Sequence, residues 1–252
     1  MSVEITLTSN ITVRLVQQVG GDHMVVAAAK VSTSGEEAAK FAVPCPVHPP
    51  GHPDFDKCVE NEAIKANYGL ISYLMKQKHG SPFEHGLMTF FVHAPIFVWR
   101  EWHRHRIGWS YNETSGRYKD LEPIFYIPPR DRLMIRPMGF KSSRPAFAAA
   151  TDEEYELVLE SLHKGYEAAY AEYEYMLSLE VDRGLARDVL GVGIYSTCYC
   201  TANPRSIMAF LELRTGQANG LNPEGEQAKR PSKPLYEIEV AARKLEVFFA
   251  QH

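Results

Sequence analysis

The sequence predicts a single domain of mixed α and β structure, and three observations lead to this prediction. Apolar residues recur at helical spacing in long stretches, whereas other stretches alternate or form the short apolar runs typical of strands. No internal repeat, low-complexity tract or linker divides the chain of 252 residues. We therefore expect residues 1–252 to form one domain, with an inserted loop over 216–234.

Strands and a helix are expected in the first part of the chain. Residues 3–18 alternate loosely around a Thr-Ser-Asn turn signal, which predicts a pair of strands. The proline-rich residues 41–56 predict an irregular loop. Apolar positions at helical spacing then predict a helix over 60–78, and a short apolar run predicts a strand over 87–92.

The next part is expected to begin as a helix and to continue without regular structure. Pro95 suits a first helical turn, and the helix is expected to run to about Arg106. A loop is predicted from Gly108, and residues 123–145, rich in proline and arginine, predict an irregular connection.

The second half predicts one long helix followed by shorter elements. Apolar residues at helical spacing predict a helix over 152–182, with Asp152 as its N-cap and Gly184 as its C′ glycine. The remaining expectations are a helical turn over 185–190, a strand over 193–202, a helix over 203–213 and a C-terminal helix over 235–249.

Composition indicates an ordinary globular protein. With 45% hydrophobic and 23% charged residues and a net charge of −4, the chain offers no bulk attraction for nucleic acid or membranes. Its longest nearly apolar run, 87–99, is too short for a membrane-spanning helix. The four cysteines make no dense disulfide framework, and the N-terminus lacks a signal-peptide pattern. We therefore expect a reduced, cytoplasmic protein that binds neither DNA nor membranes.

One stretch, 102–118, concentrates hydrogen-bonding groups. It holds three arginines, two histidines, a glutamate, two serines and an asparagine among four aromatic residues. Arginine offers a rigid fork that matches phosphate and carboxylate oxygens bidentately. The residues alone therefore predict a site for a phosphorylated small molecule.

Other interpretations of this stretch are a solvated helix end, a nucleic-acid surface and a metal site. Arginines between aromatic residues suit stacking on bases, but the chain is acidic and extends no basic stripe beyond them. Four histidines could supply imidazoles, namely His79, His85, His103 and His105. Their spacings match no familiar zinc site and cysteine partners are missing, so no metal ion is expected.

The same stretch resembles the signature of flavin-dependent thymidylate synthases, which is written R-H-R, seven residues, then S. Here RHR at 104–106 is followed by SGRY at 115–118 after eight residues, one more than usual. We expect the additional residue to bulge away from the ligands around Gly108 and Trp109. Six further blocks resemble those of the family in the right order: AKVS (29–32), HGSPFEH (79–85), APIFV (94–98), AR (186–187), NPRS (203–206) and FLELR (210–214).

The resemblance implies an α+β fold with a mixed or antiparallel sheet and a bundle of long helices. It implies that the protein methylates dUMP to dTMP in de novo dTMP biosynthesis. The carbon would come from 5,10-methylenetetrahydrofolate and the hydride from FADH2, which NADPH regenerates from FAD. It also implies a homotetramer whose sites are shared between subunits.

Site residues follow from the resemblance by position. Those implied to bind FAD are Ser32, His79, Ser81, Arg104, His105, Arg106, Glu113, Asn203 and Arg205. Those implied to bind dUMP are Glu101, Arg104, Glu113, Thr114, Ser115, Gly116, Arg117, Arg187 and Arg214. Arg214 matches the catalytic arginine thought to favour ionisation at N3 of the pyrimidine, which makes C5 a better nucleophile. Ser115 is expected to position dUMP, because no adjacent base is evident to activate it.

The chain departs from the family at several positions. Glu101 stands where many members have glutamine, and Ala209 where asparagine is common. A family histidine that meets FAD has no clear counterpart, and we hypothesise that Lys233 replaces it. Two other functions stay open: a nucleotide- or RNA-binding protein without catalysis, and a different flavoenzyme that acts on a phosphorylated nucleotide.

Overall fold

The computed structural model describes residues 4–41, 62–136, 147–215 and 234–251. The loops predicted over 41–56 and 216–234 lie almost entirely outside these ranges. In chain order the described elements are β1 (Thr6–Thr8), β2 (Thr12–Val19), α1 (Asp22–Ser34), α2 (Glu62–Lys76), β3 (Leu87–Pro95), α3 (Ile96–Trp102), β4 (Trp109–Glu113), β5 (Ile124–Tyr126), α4 (Asp152–Ser178), α5 (Arg183–Ala186), β6 (Tyr195–Ala202), α6 (Pro204–Arg214) and α7 (Tyr236–Ala250). Short 3₁₀ helices span Gly35–Phe41, Ser81–Glu84 and Arg187–Val189.

The predicted α+β class is confirmed. β1 and β5 form a two-stranded parallel sheet in which Leu7 lies opposite Phe125. A second sheet has four strands in the order β2-β3-β6-β4. An antiparallel bridge joins Phe125 to Ile194, so the strand pairings are mixed in direction.

The chain forms two compact units, each assembled from three separated segments. The first unit comprises the described residues of Met1–Ile11, His93–Glu101 and Glu113–Thr197. The second unit comprises those of Thr12–Val92, Trp102–Asn112 and Cys198–His252. Because the segments alternate along the sequence, neither unit is one continuous stretch of chain. That residues 1–252 form a single domain stays a prediction.

The core of the first unit forms around α4. Phe125 of β5 is fully buried, and its ring stacks on Tyr166 with centroids 4.6 Å apart. Tyr170 and Tyr173 follow on the same face of α4, with ring centroids 5.5 Å apart. This is the apolar stripe that the helical spacing predicts.

Two of these tyrosines hold the backbone of Leu121. The Leu121 N–H donates to the Tyr173 hydroxyl at 3.1 Å, and the Tyr170 hydroxyl donates to the Leu121 carbonyl at 2.9 Å. Burial raises the pKa of Tyr170 to about 12, so the phenol keeps the proton that it donates. A buried backbone group without a hydrogen-bond partner is costly. These two hydrogen bonds therefore fix the backbone at Leu121, shortly after residues 114–118.

The second unit has an aromatic centre. Trp102 stacks on Phe210 of α6 with ring centroids 4.7 Å apart, and both side chains are fully buried. Trp109 lies edge-on to Trp102 at 6.1 Å. In the same unit α7 packs on α6 and β2, and α1 and α2 pack beside the 3₁₀ helix Ser81–Glu84.

Two strands form within residues 3–18, but the predicted pairing between them is wrong. β1 pairs with β5, whereas β2 lies beside β3. The reason is that Ile5 and Leu7 pack in the cluster around Phe125, which brings β1 to β5. The irregular connection predicted over 123–145 is likewise interrupted by β5, and its residues 137–145 lie outside the described ranges.

The helix predicted to reach about Arg106 ends at Trp102. The His105 N–H donates to the Trp102 carbonyl at 2.9 Å in a tight turn. The Tyr111 hydroxyl also contacts this carbonyl, at 3.3 Å, and donates to the His105 carbonyl at 2.7 Å. These bonds replace the helical pattern, so Arg104 and Arg106 lie in a turn rather than on a helix face.

The residues after this turn form a strand rather than the predicted loop. Gly108 has a left-handed backbone, with φ at 68°, and leads into β4. Trp109 is buried, and its ring stacks with Tyr111 at 5.8 Å, two residues along the strand. Pro95, predicted in a first helical turn, is the last residue of β3.

The ends of the long helix also differ from the prediction. Thr151, not Asp152, is the N-cap: its side chain accepts from the Glu154 N–H at 3.2 Å. The Glu154 carboxylate accepts from the Thr151 N–H at 2.8 Å, which completes a capping box. At the other end α4 is capped at Leu179, and Gly184 belongs to the next helix, α5.

The other predicted elements are confirmed. The helices expected over 60–78, 203–213 and 235–249 are α2, α6 and α7. The strands over 87–92 and 193–202 are β3 and β6, and the helical turn over 185–190 is α5 with the 3₁₀ helix that follows it. Within the described part of the chain, no helix is both long and apolar enough to cross a membrane.

Replacing Tyr173 with Phe should lower the free energy of unfolding by about 1–3 kcal/mol, because the buried Leu121 N–H loses its acceptor. Urea unfolding at neutral pH measures this. Tyr175→Phe is the matched control on the same helix: Tyr175 is 60% exposed, and its loss should stay within about 0.5 kcal/mol. Equal losses in the two variants would contradict the role given to the Tyr173 hydroxyl.

Candidate functional site

In the first unit, a loop at 114–118 is tied to the start of β6. The Thr114 N–H donates to the Thr197 carbonyl at 2.8 Å, and the two threonine hydroxyls share a hydrogen bond. The Ser115 Oγ accepts from the Arg117 N–H at 3.3 Å, and the Ser115 carbonyl accepts from the Tyr118 N–H at 3.1 Å. These hydrogen bonds therefore hold the loop in a closed turn.

Two glycines let this loop pack closely against the 183–189 segment. A Cβ on the buried Gly116 would lie 3.2 Å from the Arg187 Cδ and 3.1 Å from Leu121. A Cβ on Gly184 would lie 3.3 Å from the Arg117 Cγ. Arg187 comes from the 3₁₀ helix after α5, and Arg117 from the loop itself. The loop that carries Arg117 therefore packs closely against the segment that carries Arg187, and two cationic side chains on adjacent segments suit an anion.

These contacts bring together most of the predicted nucleotide residues of the first unit. The residues joined by the contacts are Thr114, Ser115, Gly116, Arg117 and Arg187. Glu101, on the last turn of α3, and Glu113, at the end of β4, belong to the same unit but take no part in these contacts.

In the second unit, the N-terminus of α6 is the place where predicted residues meet. Asn203 caps the helix, its Oδ1 accepting from the Ser206 N–H at 2.9 Å. The Ser206 Oγ donates to the Ile107 carbonyl at 2.8 Å. A Cβ on Gly108 would overlap the Ser206 Oγ and lie 2.8 Å from the Asn203 Nδ2. The turn that carries Arg104–Arg106 therefore docks on the helix through a position that only glycine fits.

The predicted residues His79 and Ser81 flank Gly80, which lies against Arg205. A Cβ on Gly80 would lie 2.7 Å from the Arg205 Nε. The Arg205 guanidinium forms an ion pair with Glu84, three residues after Ser81. The start of α6 and the 79–84 segment are thereby held together, and both have exposed polar side chains.

The C-terminal end of α6 carries Arg214, whose Nε donates to the His105 Nε2 at 3.0 Å. Both side chains are half-buried. Burial, and then the positive charge of Arg214, lower the pKa of His105 from 6.5 to about 4. His105 is therefore neutral near pH 7, with its acceptor nitrogen facing the arginine.

Ser32 is the predicted cofactor residue furthest removed from these contacts. It lies exposed on the last turn of α1, and its Oγ donates to the Ala29 carbonyl at 3.0 Å. Arg104 and Arg106 are exposed in the turn after α3. Lys233 lies outside the described residues. In the part of the chain that the structure describes, no group of three or more His, Cys, Asp or Glu side chains could hold a metal ion.

Several residues that hold the site together escape sequence reasoning. Glu84 pairs with an arginine 121 positions away, and Thr197 binds Thr114 across 83 positions. Ser206 and Tyr111 donate hydrogen bonds to the backbone of the 102–111 segment. The residue types in the motif do not indicate these contacts. Glu84 and Ser206 do lie inside the HGSPFEH and NPRS blocks, which is the one signal that could have found them.

Comparison with known proteins gives consistent relatives. A family model described as thymidylate synthase complementing protein matches residues 14–243. The chain is 44% identical to a flavin-dependent thymidylate synthase of Streptomyces coelicolor, over 98% of this chain and 89% of the relative. It is 41% identical to one from Tropheryma whipplei, over 94% of this chain and 87% of that protein.

Solved structures show the same similarity. The fold resembles a UMP/dUMP methylase, PolB from Streptomyces cacaoi, bound with 5-Br dUMP, with a TM-score of 0.78 and 39% identity. The match covers 98% of this chain and 92% of that one. A structure of the same methylase bound with 5-Br UMP gives a TM-score of 0.77 at 36% identity, covering 98% and 91% of the two chains.

Acid should destabilise the protein partly through His105. Its pKa is about 4 in the folded protein against 6.5 ordinarily, so the unfolded chain binds the proton more readily. This contribution to stability is complete above the unfolded pKa and is lost as the pH falls towards 4. Between pH 7 and pH 5, the wild type should lose on the order of 1 kcal/mol more unfolding free energy than His105→Gln, after discounting for solvent screening.

Urea unfolding at the two pH values measures this difference. His163→Gln, which replaces a surface histidine on α4 that pairs with Glu167 at 3.5 Å, is the matched control and should follow the wild type. The same pH dependence in His105→Gln and in the wild type would contradict the expected shift.

Proposed function

The chain belongs to the family of flavin-dependent thymidylate synthases, and from this premise we propose that it methylates dUMP to dTMP. The carbon donor is 5,10-methylenetetrahydrofolate, the hydride comes from FADH2, and NADPH restores the reduced flavin. A methylene carbon and a hydride together make the methyl group, so the folate leaves as tetrahydrofolate and NADPH as NADP⁺. The observation that carries the proposal is the close packing of the loop that carries Arg117 against the segment that carries Arg187.

Arg117 and Arg187 bind the phosphate of dUMP in this proposal. A phosphate that carries about two negative charges gains charge-assisted hydrogen bonds from guanidinium groups. Thr114 is tied to β6 and Ser115 is part of a closed turn, so the loop needs little ordering when the nucleotide binds. A Cβ at Gly116 would lie in tight contact with the Arg187 Cδ, so that side chain would have to shift slightly. Glu101, Arg104 and Glu113 are proposed to complete the nucleotide contacts.

Arg214 is the proposed catalytic residue. A guanidinium next to the pyrimidine stabilises the anion that forms as N3 loses its proton, and this raises electron density at C5. Because Arg214 is half-buried, its charge is less screened than that of a surface arginine. Its Nε–H is directed at a neutral partner, His105, so no carboxylate cancels the charge through that bond.

The residues around the N-terminus of α6 fit FAD by the chemistry of their donor groups. A helix N-terminus favours phosphate, and α6, with 11 residues, begins beside Asn203 and Arg205. The 79–81 segment adds an imidazole and a hydroxyl, and the docked turn adds the side chains of 104–106. Cationic side chains together with neutral hydrogen-bond donors suit the diphosphate of a dinucleotide. Ser32 and Glu113 are proposed as further FAD contacts.

The assembly and cellular setting are also proposals. The family resemblance supports a homotetramer with sites shared between subunits, a cytoplasmic location and a role in de novo dTMP synthesis. The proposed site residues belong to both compact units, which is consistent with shared sites.

UMP is a second candidate substrate. The solved relative from Streptomyces cacaoi is described as a UMP/dUMP methylase and was crystallised with an analogue of each nucleotide. Both nucleotides carry the phosphate and the uracil that Arg187 and Arg214 are proposed to contact.

The product assay tests the proposed reaction. Purified protein with bound FAD, supplied with NADPH, 5,10-methylenetetrahydrofolate and dUMP, should form dTMP, and omission of any one of these three should stop product formation. UMP in place of dUMP tests the second candidate. Absence of dTMP from protein that has bound FAD would contradict the proposal. Steeply salt-dependent RNA binding without such chemistry would favour a non-catalytic binder.

Arg187→Ala should weaken dUMP binding about 10- to 100-fold, because a charged hydrogen bond to the phosphate is lost. Deoxyuridine lacks that phosphate, so its dissociation constant should not change. Calorimetric titration with both ligands measures the two constants. Arg130→Ala, which removes an arginine paired with Asp152, is the matched control. A loss of equal size for deoxyuridine would show that Arg187 does not act on the phosphate.

A further inference from the structure

We propose that His105 is a positioning residue for Arg214, in addition to the flavin contact implied by its place in the R-H-R motif. The proposal rests on the proposed function, because it concerns how the catalytic arginine is oriented. Its starting observation is the hydrogen bond from the Arg214 Nε to the His105 Nε2 at 3.0 Å, across 109 positions of the chain.

Contacts other than the hydrogen bond to Arg214 hold the His105 side chain in place. Its ring lies edge-on to Phe210 with centroids 4.9 Å apart, and its backbone carbonyl accepts from the Tyr111 hydroxyl at 2.7 Å. Burial raises the pKa of Tyr111, so this hydroxyl remains a donor at ordinary pH. The imidazole therefore has a fixed position before Arg214 meets it.

The helix that carries Arg214 is held as well. Phe210 and Arg214 are four residues apart on α6, so they share a face, and His105 contacts both. At the end of α6, Arg243 of α7 donates to the carbonyl of Thr215, the residue after Arg214. The same Arg243 is paired with Glu239 at 3.0 Å and Glu246 at 3.4 Å. The Arg243 contact at the end of α6 and the hydrogen bond to His105 thus constrain Arg214 from two directions.

The protonation of His105 suits this role. The Nε2 atom can accept the hydrogen bond from the Arg214 Nε–H only when it carries no proton itself, so the neutral ring must hold its proton on Nδ1. The low pKa of His105 keeps it in that form near neutral pH. A protonated imidazole would instead repel the guanidinium.

The hydrogen bond to His105 therefore fixes the orientation of one edge of the Arg214 guanidinium. An arginine side chain has several rotatable bonds, and a bond at Nε restricts the rotation of the terminal plane. A guanidinium displaced by about 1 Å stabilises a developing charge far less well. His105 therefore acts through Arg214, and its removal should lower kcat more than it raises the KM for dUMP.

A double-mutant cycle tests this assignment. The variants are His105→Phe, which keeps the ring packing without the acceptor, His105→Gln, whose Oε1 can accept, Arg214→Ala and the two doubles. All are assayed with FAD in excess, and rates are divided by the flavin bound. His163→Gln is the control for a histidine replacement and should match the wild type. If His105→Phe does not fold, His105→Ala takes its place.

His105→Phe should lower kcat about 10- to 100-fold, and His105→Gln should recover most of that loss. In the Arg214→Ala background, His105→Phe should change the remaining single-turnover rate of methylation less than about twofold. Equal effects with and without Arg214, or equal losses in the Phe and Gln variants, would overturn the proposal. The proposed function fails separately, if flavin-loaded wild type forms no dTMP.

Discussion

The burial of Trp102 against Phe210 is the contact on which the second unit's polar groups depend. It holds the 102–111 segment to α6, with both rings fully buried. Once this stack is formed, Gly108 can approach the start of the helix and His105 can reach Arg214 near its end. An apolar contact thus sets the positions of charged side chains, because large buried rings tolerate little displacement.

The fold was predictable where a local pattern decides it. The helices α2, α6 and α7 follow from apolar spacing, and Asn203 with Pro204 marks a helix start by residue type. The errors fall where a distant partner decides. β1 takes β5 as its partner because Ile5 and Leu7 join a cluster built from α4. The α3 helix stops early because a hydroxyl from β4 binds the carbonyls of Trp102, the last residue of the helix, and of His105.

The site was predictable in residue types and order, but not in contacts. The R-H-R motif and the six further blocks, three before it and three after it, identify the family, which relatives of 41–44% identity bear out. Nothing in their spacing says that Glu84 pairs with Arg205, or that His105 faces Arg214. The additional residue after the motif is expected around Gly108 and Trp109, and the left-handed backbone of Gly108 and its lack of Cβ let the chain turn against α6. That this bulge points away from ligands stays a prediction.

The visible absorption spectrum of the purified protein, recorded with and without dUMP, tests the central claim most directly. If the protein binds FAD and dUMP in one catalytic site, as the proposed reaction requires, it should be yellow and dUMP should shift its flavin bands. Deoxyuridine at the same concentration should shift them far less, since it lacks the phosphate. A protein that stays colourless after incubation with FAD, or a flavin spectrum that dUMP leaves unchanged, would contradict the account.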